Sequence, residues 1–112
     1  MYSEKEKRNE RRLEQKLLVD ISNNGLESMG MTTNISRNGM FIVTTQVLAI
    51  NSDVSILLGA ADETFALKGQ VIWSREWSEP SAGDVQAAVG IKIVEASEGY
   101  LKYVERVLSQ GN

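Results

Sequence analysis

The feature that most constrains this chain is a period-two alternation of apolar and polar residues, interrupted by turn residues every 8 to 12 positions over most of its length. Successive side chains of a strand point to opposite faces, so such runs read as strands with one face buried. Val54, Ile56 and Leu58 share one face of a run that ends at Gly59-Ala60-Ala61-Asp62. Phe65, Leu67, Val71 and Trp73 share one face of a longer run, with Gly69 at the skipped position as a bulge or a place of close backbone approach. Val85, Ala87, Val89, Ile91 and Ile93 form another. Nearer the N-terminus, Leu17, Val19 and Ile21 alternate up to a tight turn at Asn23-Asn24-Gly25, and residues 26–33 return as a second strand. Residues 40–45 are apolar on both faces, as expected of a strand covered twice. Residues 77–84 hold the only proline, Pro80, and read as an exposed loop.

At Ser97 the period changes. Tyr100, Leu101, Val104, Val107 and Leu108 fall at helical spacing, with Ser97 in the N-cap position. Six short strands and one terminal helix over 97–109 imply a mainly β fold: a closed or nearly closed six-stranded antiparallel barrel, the helix covering an opening or a flank. A chain of 112 residues suffices for one domain with a modest core. The barrel with its helix occupies 17–112, preceded by a flexible basic segment over 1–16. Half of the 12 basic residues lie in that segment: Lys5, Lys7, Arg8, Arg11, Arg12 and Lys16, interleaved with Glu4, Glu6, Glu10 and Glu14.

Composition narrows the chemistry. There is no histidine and no cysteine, which removes the commonest general base, the commonest metal ligand, and thiolate metal sites. No nucleophile is paired with a base, so the chain is not expected to be an enzyme, and no metal or cofactor is expected. The net charge of -3 argues against duplex nucleic acid as a partner. No run approaches the length of a membrane span, and the charged N-terminus lacks an apolar signal region, so a cytoplasmic location is expected.

Two short elements carry the functional expectation. Asn34-x-Ser36-x-x-Gly39 offers a carboxamide, a hydroxyl and a backbone without Cβ in one turn, and Arg8-x-x-x-Arg12 offers two planar guanidinium forks. Forks of this kind grip phosphate oxygens or the O6 and N7 edge of guanine, so together the elements suit an anionic, purine-bearing ligand. In this order they resemble the PilZ domain family, bacterial receptor modules for cyclic di-GMP with a split-barrel fold. The resemblance extends to Trp73, to Val89-Gly90-Ile91 and to the final helix.

It implies that Arg8, Arg12, Asn34, Ser36 and Gly39 bind cyclic di-GMP, with Lys7, Arg11 and Arg37 as secondary contacts. A second register, Arg12 with Lys16, is a degraded copy of the arginine motif. Its 18-residue distance to the Asn34 element looks short for the family, whereas the 22 from Arg12 looks ordinary. Asn38 stands where related sequences carry a second glycine, and its tolerance of left-handed angles should preserve the turn. The function implied is a receptor or adaptor whose N-terminal segment changes conformation on binding one or two nucleotides and signals to an unidentified effector protein in motility or biofilm regulation. The alternative is a PilZ-type adaptor, related to pili or motility, that does not bind nucleotide.

Overall fold

The computed structural model describes residues 12–78 and 85–110. Among these residues seven strands precede one helix: β1 (Leu13–Glu14), β2 (Leu18–Asn23), β3 (Leu26–Ile35), β4 (Gly39–Thr44), β5 (Asp53–Ala60), β6 (Glu63–Ser78), β7 (Val85–Ala96) and α1 (Glu98–Gln110). Six of them close on themselves in the antiparallel order β3-β2-β5-β6-β7-β4, with β4 pairing back to β3, so the barrel has no long free edge. The short β1 pairs outside this ring with β3, Leu13 opposite Ile35 and Glu14 opposite Asn34.

The alternation seen in the sequence is realised as an inner and an outer wall. β5 is the cleanest case, with Val54, Ile56, Leu58 and Ala60 buried and the residues between them exposed. Val19 and Ile21 of β2, Ile35 of β3, Met40 and Ile42 of β4, Leu48 between β4 and β5, Phe65, Leu67 and Val71 of β6, and Val89 and Ile91 of β7 belong to the same core. Burial of side chains this size contributes about 1.5–3 kcal/mol each, which is what holds so small a domain together. Tyr100 and Val104 of α1 are fully buried in the same cluster. The start of the helix is capped as expected, Tyr100 N–H donating to Ser97 Oγ at 3.4 Å.

Turn chemistry matches the sequence where it was most explicit. Asn24 (φ 54°) and Gly25 (φ 83°) both take left-handed angles in a two-residue hairpin between β2 and β3. Gly69 sits at a register shift between β6 and β7, and a Cβ there would approach the Lys92 carbonyl oxygen to 2.8 Å. Two features differ from expectation. β6 continues through Ser78, with Trp77 opposite Gln86 and Ser78 opposite Val85, so the connection that contains Pro80 is shorter than the expected loop over 77–84. Ordered pairing also begins before Leu17, because the Gln15 N–H donates to the Thr33 carbonyl and the Leu17 N–H to Thr32 Oγ1. Among the described residues no helix is long and apolar enough to cross a membrane.

Candidate functional site

Between β3 and β4 the chain turns at Ser36-Arg37-Asn38, and Ser36 accounts for the shape of that turn. Its N–H donates to the Gly39 carbonyl at 2.9 Å, while its hydroxyl accepts from the N–H groups of Asn38 (3.2 Å) and Gly39 (3.1 Å) and donates to the Gly39 carbonyl at 3.2 Å. A short side chain that bonds its own backbone in this way is why serine suits such turns. The Ser36 carbonyl accepts from the Tyr100 hydroxyl at 2.7 Å, so the helix end of the chain fixes the turn from within. Ser36 is wholly buried. Its hydroxyl is thus engaged within its own loop.

Gly39 has a close neighbour across the sheet. A Cβ there would lie 2.8 Å from the Ile91 carbonyl oxygen of β7, so the close approach is first of all that of a neighbouring strand, and 3.7 Å from Arg12 Nη2. Asn38 has a negative φ; among the described residues positive φ occurs at Asn24, Gly25, Asn51 and Ala61. Its carbonyl accepts from the Ile93 N–H at 2.8 Å, which ties the turn to β7.

On the outer wall beside this turn, two distant parts of the sequence meet. A register shift in β3 between Thr32 and Asn34 sets Asn34 opposite Phe41 of β4. Arg12 Nη1 donates to Asn34 Oδ1 at 2.9 Å, and the Arg12 guanidinium carbon lies 4.7 Å from the centre of the Phe41 ring. Phe41 in turn meets Trp73 edge to face, 5.3 Å between centroids at 72°. Both aromatics face Gly90 of β7, which pairs with Phe41 on one side and with Trp73 on the other. Any Cβ at Gly90 would overlap the Trp73 indole, so glycine makes the room in which the ring lies.

Burial raises the Tyr100 phenol well above its ordinary range, and Tyr103 adds to the effect; Arg12 acts in the opposite direction, which puts its charge within electrostatic reach of the ring. Arg37 is engaged elsewhere, 2.7 Å from Glu105 Oε2 of α1, with both side chains more than half exposed. Arg8, Lys7 and Arg11 lie outside the described residues. Lys16 is exposed. Arg12, common to both arginine registers, is the one that meets Asn34.

The cluster offers a planar cation seated on an aromatic face with a carboxamide at its edge, which is suited to phosphate oxygens, to a purine edge and to stacking. Phe41, Trp73 and Tyr100 belong to it and were not singled out as site residues in the sequence. The signal for Phe41 was present: an apolar residue on the outward phase of a strand expected to be covered twice. Tyr100 was legible only as part of a helical stripe. Among the described residues no group of three or more histidine, cysteine, aspartate or glutamate side chains is placed to hold a metal ion.

The architecture is a closed six-stranded antiparallel barrel with this cation and amide cluster on its outer wall. The chain belongs to the PilZ domain family, whose model matches residues 6–110. No curated protein matches it significantly by sequence. Among solved structures it is similar to the PilZ domain of YcgR from Escherichia coli with c-di-GMP, at a TM-score of 0.66 and 11% identity, covering 90% of this chain and 88% of that one. The Bacillus subtilis Inhibitor of motility (MotI/DgrA) aligns with a TM-score of 0.64 at 17% identity, over 92% of this chain and 52% of that one. The Borreliella burgdorferi PlzA protein in complex with c-di-GMP aligns with a TM-score of 0.62 at 11% identity, over 90% and 51%. The chain therefore spans about half the length of the last two. At these identities the likeness is one of fold.

Proposed function

We propose that this PilZ chain is a cyclic di-GMP receptor whose binding face is the outer wall around Arg12, Asn34 and Gly39. The observation that carries the reading is the 2.9 Å bond from Arg12 to Asn34, which joins two motifs 22 residues apart into one polar cluster. The ligand has two phosphodiester charges and two guanines, so a receptor needs cations and stacking surfaces rather than acids or bases. Arg12 supplies the cation next to Phe41 and Trp73, and Arg8, with Lys7 and Arg11, follows from the segment before it. Asn34 contributes its carboxamide, Ser36 holds the turn in shape, and Arg37 exchanges Glu105 for a phosphate. That PilZ structures of YcgR and PlzA contain c-di-GMP supports the assignment.

Binding makes and breaks no covalent bond, so the output is a change of surface. The segment bearing Arg8 and Arg12 closes over the nucleotide, and an effector protein in the cytoplasm reads the new surface. A micromolar dissociation constant corresponds to about 8 kcal/mol, within reach of a few charge-assisted hydrogen bonds at about 1.5–3 kcal/mol each.

Calorimetric titration with cyclic di-GMP tests this, with cyclic di-AMP and GTP as controls. The expected result is saturable binding that weakens by about tenfold or more in Arg12→Ala, a loss of about 1.4 kcal/mol. The stoichiometry separates one bound nucleotide from a stacked pair. The use of the Ser36 hydroxyl within its own turn favours a second reading, an adaptor that works by protein contacts alone. Absence of binding by the intact protein would select it.

A further inference from the structure

We infer that the outer wall of β3, β2, β5 and β6 is a docking surface for an amphipathic helix of a partner protein that carries basic side chains beside its apolar stripe. The surface is independent of the nucleotide reading, since none of its residues belongs to the Arg12 cluster. A groove of about 680 Å³ crosses the strands between Met29, Asp20 and Leu57 on one side and Glu27, Ser55 and Lys68 on the other, with Leu18 and Met31 beyond its apolar rim. Three registered rows build the wall. Met29, Asp20, Leu57 and Ala66 follow one another across four strands. On one side of them run Val43, Met31 and Leu18. On the other run Glu27, Ser22, Ser55, Lys68 and Glu95.

Leu18, Met29, Met31 and Leu57 are 57%, 61%, 41% and 49% exposed, and they adjoin one another. Scattered exposed apolar side chains need no explanation, whereas adjoining ones of this size mark a contact surface. Methionine on such a surface adapts to an irregular partner. Ser22 and Ser55, the pair in the middle of the third row, are short side chains that line the groove.

Dimensions and charge select the occupant. The apolar row crosses four strands about 4.8 Å apart and so spans about 14 Å, the length of a helix of about 10 residues at 1.5 Å each. Rows two residues apart along a strand lie about 7 Å from one another, so three rows offer a bed about as wide as a helix with its side chains. Asp20 stands in the middle of the apolar row, and Glu27 and Glu95 end the polar one against the single Lys68. Three carboxylates against one ammonium favour a basic partner. A second copy of this chain would set Asp20 and Glu27 near like charges, which interfaces avoid.

Two fluorescent synthetic peptides test the proposal on the full chain. Both have leucines at helical i, i+3, i+4 and i+7 spacing, one flanked by lysines and the other by glutamates. Anisotropy should show the lysine peptide binding at least tenfold more tightly. The charge-reversal variant Asp20→Lys/Glu27→Lys should invert that preference, and Leu57→Ser should weaken the lysine peptide by about tenfold. Equal binding of the two peptides, binding of neither, or indifference to Leu57→Ser would overturn the proposal. So would sedimentation of the protein as a dimer that Leu57→Lys dissociates, since the face would then be a seam between copies. Thermal melts of each variant verify that the fold is retained.

Discussion

On the wall formed by β4, β7 and β6, the outward aromatics Phe41 and Trp73 have partners from their own chain: a guanidinium on one ring, and the space over Gly90 for the other. On the wall formed by β3, β2 and β5, the outward Leu18, Met29 and Leu57 remain exposed. The two walls obey the same alternation, so a strand's period does not decide whether an outward apolar residue is covered. That is decided by residues far away in the sequence: an arginine before the first barrel strand, and a glycine on the neighbouring strand that clears space for an indole.

Glycines on the two walls provide the largest contrast. Gly90→Val should displace the Trp73 ring and cost about 1–3 kcal/mol, the usual range for overpacking. A Cβ at Gly59 would meet no atom closer than the Leu18 carbonyl oxygen at 3.9 Å, and Gly59→Val should stay within about 0.5 kcal/mol of the parent. Urea denaturation of the two variants reads the difference directly, and equal losses would break the comparison.

Tyr100→Phe tests how firmly the first wall's turn is held. Removing the hydroxyl leaves the buried Ser36 carbonyl without that donor and should cost about 1–3 kcal/mol. The same substitution changes the alkaline response. The folded phenol titrates above the ordinary value of 10.0 because burial disfavours its anion. Its contribution is therefore complete below pH 10.0 and declines as pH rises from there towards the folded value. Stability measured against pH should fall less steeply above that point in Tyr100→Phe than in the parent. The smallest effect is expected on the open wall, where Met29→Thr and Leu57→Thr should each shift stability by no more than about 0.5 kcal/mol, while Phe41→Thr costs more because the ring is in contact with both Arg12 and Trp73.

Much of the barrel was legible because its signals are local. The alternation of Val54, Ile56 and Leu58, the Asn24-Gly25 hairpin, the skipped Gly69 and the Ser97 cap each depend on a few adjacent residues. The length of β6 was not, because pairing continues past Trp73 only where β7 provides a partner strand. Beside the Ser36 turn, Arg12 bonds Asn34 across 22 positions, and this contact, the hydrogen bonds of the Ser36 hydroxyl within its turn and the part played by Tyr100 depend on juxtapositions no short pattern encodes. Likewise Gly39 reads in sequence as an opening for a ligand, although β7 already occupies the space its side chain would need.

The Tyr100 hydroxyl bond to Ser36 spans 64 positions, and the neighbouring Arg37 to Glu105 pair spans 68. Closing loops of that length is entropically costly and weights the fold towards slow, non-local steps. During synthesis the Ser36 turn leaves the ribosome well before the helix that clamps it. The Ser36 turn and the wall beside it would then be among the last parts of the molecule to become rigid, and a nascent chain would carry the whole Asn34 to Gly39 motif before that turn was clamped.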